Sequence, residues 1–147
     1  MTEASAQQPT AAPHVPVTAA DVMRPALTTV EPNDHVAAAA YLMRHAGATA
    51  LIVVDDEEAK RPKGLITETD IVEAVADGRD LNEVRIHDLM TMGPTVIKAS
   101  TSIPDAARTM LSGRFRHLPV VGDDGDLRGI VDIGDVCGAL LTAEEEN

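Results

Sequence analysis

The sequence predicts a mixed α/β (α+β) fold assembled from two copies of one β-α-β-β-α unit. Three observations carry this. The 147-residue chain repeats itself at a nearly fixed offset. Within each copy, short continuous apolar runs alternate with apolar residues at helical spacing, the patterns of covered strands and amphipathic helices. Apolar residues make up 44% of the chain, yet Tyr41 and Phe115 are its only aromatic residues, so the core must be aliphatic.

The repeat is visible residue by residue. With residue 21 laid on residue 88, an offset of 67, Asp21, Met23, Thr28, Ala39, Ala40, Met43, Leu51, Val53 and Val54 meet identical residues. The run DDEEAKRPK in the first copy is longer than GDDGDLR in the second, and beyond it the offset becomes 65. Gly64-Leu65-Ile66 then meets Gly129-Ile130-Val131, and Asp70 meets Asp135.

Each element follows from its local pattern. Residues 1–16, MTEASAQQPTAAPHVP, are small and polar with no apolar period and predict a disordered tail. The first copy spans 17–78. It opens with a short strand, LTTV, and continues with Val36, Ala39, Ala40 and Met43 at helical spacing. Asp34 is placed to cap that helix. The buried strand ALIVV, a charged turn, the strand GLIT and a helix through IVEAVA complete it. Residues 79–87 link the copies. The second copy, 88–142, repeats the order with TVI, a helix through Ile103, Ala106, Ala107, Met110 and Leu111 capped by Thr101 or Ser102, then HLPVV, GIVD and a closing helix. Residues 143–147 form an acidic tail.

Charge and composition exclude several functions. A net charge of −12 repels nucleic acid and anionic membranes. No apolar run approaches the ~20 residues of a membrane span, and the N-terminus has no signal-peptide pattern. A cytoplasmic protein is the expectation. Cys137 is the single cysteine. It can form no internal disulfide and is expected as a small buried hydrophobe rather than a reactive thiol. His14, His35, His45 and His87 show no metal-ligand spacing, so no metal is expected. No G-x-S-x-G, catalytic triad order or P-loop is present, and no enzymatic role is expected.

A β-α-β-β-α unit that opens near D-V-M or D-L-M, carries L-P-V-V and closes with an apolar G-L-I-T-E-T-D or G-I-V-D-I-G-D stretch resembles the CBS domain. Two in tandem resemble a CBS pair, or Bateman module, across about residues 17 to 142. The resemblance implies repeats packed with pseudo-two-fold symmetry. It also implies a regulatory role: an adenine nucleotide (AMP, ADP or ATP) or S-adenosylmethionine bound in clefts between the repeats. No cofactor is required. The expected partners are that ligand, a second copy in a homodimer, and a protein yet to be named.

The resemblance also implies site residues. The first cleft would take Thr67 and Asp70 from the first repeat and Thr95, Phe115, Arg116, His117 and Pro119 from the second. The Thr hydroxyl would help hold phosphate, and the carboxylate would accept the ribose hydroxyls. Arg offers phosphate a bidentate fork, and His a second donor. As plain structure, T-x-x-D is also a helix cap, and Arg116 and His117 also read as a solvated strand start. The second cleft would pair Asp132 and Asp135 with Ala48, Thr49 and Ala50. There Asp132 replaces the hydroxyl residue and no base stands at 49 or 50, so this cleft is expected to reject a phosphorylated nucleotide. The competing function is a ligand-free dimerisation or protein-interaction module with vestigial clefts.

Overall fold

The computed structural model describes residues 15–55 and 61–146. The expected tail falls almost wholly outside these residues, as does the middle of the charged turn. The elements in chain order are α1 (Ala19–Val22), β1 (Arg24–Pro25), β2 (Thr29–Val30), α2 (Val36–Ala46), β3 (Ala50–Val54), β4 (Pro62–Thr67), α3 (Glu68–Ala76), α4 (Ile86–Leu89), β5 (Thr91–Met92), β6 (Ile97–Lys98), α5 (Ile103–Gly113), β7 (His117–Val121), β8 (Leu127–Asp132) and α6 (Ile133–Glu146). The predicted order is present in both copies. The acidic end continues α6 as helix through residue 146.

Two four-stranded sheets form, in the orders β2-β3-β4-β5 and β1-β8-β7-β6. In each, the opening strand runs parallel to the central one, with Thr29 opposite Ile52 and Ile97 opposite Val120. The central strand then pairs antiparallel with the next, with Ala50 opposite Thr67 and His117 opposite Asp132. Both central pairs carry an irregularity at the same place, Val53/Val54 and Val120/Val121. The equivalent registers express the pseudo-two-fold relation between the copies. β3 is buried along its whole length, as its continuous apolar run requires.

The fourth strand of each sheet comes from the other copy. β1 pairs with β8 and β5 pairs with β4. The cores are exchanged in the same way. Ala19 of α1 lies in the core of the second repeat, with Ile103, Met110, Leu118 and Val131. Val84 of the linker and Ile86 of α4 lie in that of the first, with Val36, Met43, Val53 and Ile66. The linker is therefore part of a core.

Two local expectations need correction. Asp34 does not cap α2: its Oδ2 accepts from Glu31 N at 2.9 Å, and His35 occupies the cap position. The first N–H groups of α2 are satisfied by the linker instead, Val36 N donating to Val84 O and Ala37 N to Leu81 O, both at 2.9 Å. Cys137 is exposed rather than buried, because Val136 and Ala139 take the inward face of α6. Ser102 does cap α5, accepting from Asp105 N at 3.2 Å.

Candidate functional site

The site is built around two helix starts. Thr67 ends β4 in an extended conformation, and its Oγ1 accepts from Asp70 N at 3.3 Å. Asp70 reaches back, its Oδ2 accepting from Thr67 N at 2.8 Å. This is a complete capping box. Asp132 and Asp135 make the same exchange at α6, at 2.8 and 2.9 Å. Further N–H groups are also engaged: Glu68 N donates to Thr49 O at 3.0 Å and Ile133 N to Arg116 O at 2.9 Å. The helix ends thus offer an anion less than bare helix starts would.

Beside α3 lies the first cleft, a cavity of about 240 Å³. Thr67, Thr69, Thr95, Arg114, Arg116 and Phe115 are among its walls, and no carboxylate is. Both repeats contribute, as expected. Two predicted members lie elsewhere. Asp70 faces a separate depression with Glu73, Asp77 and Asp88. Pro119 is buried within β7, opposite Ile130, and lines neither cleft. Phe115 packs over Gly113, where any Cβ would meet its ring.

The second cleft is larger, about 460 Å³, with Thr49, Ala50, Asp132 and Asp135 in its walls. Arg24 joins them from the exchanged strand β1. Its guanidinium lies 3.3 Å from Asp135 Oδ1 and 3.9 Å from Asp132 Oδ2. The neighbouring carboxylates raise its pKa, the Asp135 hydrogen bond first. Arg24 thus gives Asp135 a cationic partner in its cleft, whereas the position matching Arg24 in the second repeat is the neutral Thr91.

Between the clefts runs a groove of about 310 Å³, where Thr67, Thr69, Arg116 and His117 meet Glu68 and Asp132. His117 borders all three spaces. Its Nε2 and Thr49 Oγ1 share a hydrogen bond of 2.7 Å between the repeats. Burial lowers its pKa below the ordinary 6.5, while Asp132 opposes the shift and Arg116 adds to it.

A model of the CBS domain matches residues 19–77 and 86–142. The chain belongs to the CBS-domain family. It is a tandem CBS pair, and the family boundaries fall close to the two sequence repeats. A protein of Acidianus ambivalens, known as the uncharacterized 17.7 kDa protein in the bps2 3′ region, is 39% identical over 112 residues, 76% of this chain and 66% of its own length. The CBS domain-containing protein YhcV of Bacillus subtilis is 34% identical over 129 residues, 84% of this chain and 86% of that protein. The crystal structure of CBSX2 in complex with AMP superposes with a TM-score of 0.72 at 34% identity, covering 86% of this chain and 98% of that one. A hexameric CBS-CP12 protein from bloom-forming cyanobacteria reaches a TM-score of 0.78 at 28% identity, over 88% of this chain and 75% of that one. The chain spans 66% of the Acidianus relative, and 16% of a Schizosaccharomyces pombe relative, the meiotically up-regulated gene 70 protein. Chloroplastic and mitochondrial proteins of Arabidopsis thaliana are also among the relatives. Among the described residues no helix of this CBS pair is long and apolar enough to cross a membrane, and no group of three or more His, Cys, Asp or Glu could hold a metal ion.

Sequence reasoning missed four residues of the site in this CBS pair, one of them Thr69, which lines both the first cleft and the groove. Arg114 extends the basic wall by one residue, and the signal was its adjacency to Phe115. Glu68 faces the groove from the first turn of α3. Arg24 reaches Asp135 across 111 positions of sequence, a distance no local pattern spans.

Proposed function

We propose that this CBS pair is a non-enzymatic regulatory module that senses an adenine nucleotide in its first cleft. Bound and free states would signal through contacts with a second copy or a partner protein. The observation that carries this reading is the asymmetry of charge. Arg114 and Arg116 stand in the first cleft without a carboxylate, whereas Asp132 and Asp135 outnumber Arg24 in the second. Phosphate is attracted to the one and repelled by the other. The complex of CBSX2 with AMP supports a nucleotide as the ligand. Thr67 and Thr69 come from one repeat and Thr95 and Arg116 from the other, so affinity depends on how the repeats sit together. That dependence lets a ligand bias their arrangement.

The rival reading, a ligand-free interaction module, draws on the apolar residues exposed on the helices, among them Val72 (64%), Leu111 (74%) and Leu141 (60%). The hexameric CBS-CP12 relative supports self-association. Calorimetric titration with AMP, ADP, ATP and S-adenosylmethionine separates the two. One nucleotide per chain is expected, with affinity reduced about tenfold or more in Arg116→Ala. Two per chain would overturn the exclusion of nucleotide from the second cleft. No heat, with an unshifted melting temperature at high ligand, would replace the sensor with the interaction module.

A further inference from the structure

The spaces around His117 carry a statement about which nucleotide fits. Building on the sensor reading above, we infer that the first cleft selects a nucleoside monophosphate over the di- and triphosphate, and that Glu68 and Asp132 set the preference. The cleft and the groove share Thr67, Thr69, Arg116 and His117, so the cleft continues into the groove at its basic end. A single phosphate is served by Arg114, Arg116 and the two threonine hydroxyls. A longer chain drawn along Arg116 enters the groove, and there the chemistry reverses.

The groove adds no cation beyond Arg116 and brings the carboxylates of Glu68 and Asp132. Of the backbone donors at its two helix starts, Glu68 N and Ile133 N are committed to the carbonyls of Thr49 and Arg116, and just beyond it Asp70 N and Asp135 N serve the caps Thr67 and Asp132. Arg24 compensates Asp132 only weakly, at 3.9 Å, because its closer partner is Asp135 at 3.3 Å. Burial keeps His117 toward its neutral form, so it adds little positive charge. Each added phosphate therefore sets negative charge against two carboxylates without gaining a cation.

The test is calorimetry with AMP, ADP and ATP in metal-free buffer at constant ionic strength, on the full chain and on Glu68→Gln and Asp132→Asn. Asn caps a helix as well as Asp, and melting curves confirm that each variant is folded. Affinity is expected to fall in the order AMP, ADP, ATP, with ATP weaker than AMP by about fivefold or more. Each variant should narrow that ratio by about two- to threefold. Equal or tighter binding of ATP by the unaltered chain would overturn the inference, as would an unchanged ratio in both variants. Binding of AMP without discrimination sinks the selectivity alone, whereas no binding of any nucleotide sinks the sensor reading with it.

Discussion

Arg114 ends α5 in the left-handed region, with φ of +59°, the one non-glycine residue to do so among those described. Its sister in the first repeat, Gly47, takes φ of +66° without a side chain to strain. Left-handed backbone costs a residue with a Cβ about 1–2 kcal/mol, and here that side chain borders the basic cleft. Arg114→Gly is expected to stabilise the fold by about 0.5–1 kcal/mol and to weaken AMP binding, measured by thermal melting and calorimetry on the same sample. His117 gives a second prediction. Its folded pKa lies below 6.5, so the unfolded chain binds more protons between the two values. The stability that neutral His117 contributes is complete above about pH 6.5 and is lost as pH falls toward the folded value. The melting temperature of His117→Asn should therefore fall less on acidification through that window than that of the unaltered chain. At this scale Thr67, Arg116 and His117 were legible because each sits within a few residues of its motif. Arg24 was not, because its role depends on a carboxylate brought near by folding.

At the scale of elements, two glycines let the exchanged strands approach. A Cβ on Gly129 would stand 2.6 Å from Arg24 O, and one on Gly64 would stand 3.0 Å from Thr91 O. Gly129→Val is expected to push β1 off β8, costing about 1–3 kcal/mol by overpacking and carrying Arg24 away from Asp135. A denaturation curve reads the first effect. The capping box makes a milder prediction: Thr67→Ala should cost about 1 kcal/mol. The continuous apolar runs marked β3 and β7, and the apolar spacing marked α2 and α5. The start of α2 was misread because backbone carbonyls of Leu81 and Val84, far along the chain, do the work assigned to Asp34.

For the whole molecule, the deciding feature is that each sheet is completed by the opposite copy. Residues 79–142 alone lack Ala19 and β1, and residues 17–78 alone lack Val84, Ile86 and β5. Neither fragment is expected to melt cooperatively by itself, and mixing the two should restore a transition followed by circular dichroism. A sharp transition in an isolated fragment would contradict the exchange. Repetition in the sequence announced two units and their order. It was silent on the exchange, since strand partners such as Arg24 and Ile130 carry no shared pattern.

The exchange also bears on how such a chain can be inherited. Recombination between its similar halves would delete one repeat's length and leave one opening segment with one sheet. That segment could complete the sheet of a second chain, so a shortened descendant would survive as a pair of interlocked single units. Duplication and fusion run the same path in reverse. Once fused, each half is free to differ in its cleft, as Thr49 and Arg116 do, but neither can be discarded unless a second chain supplies the missing strand.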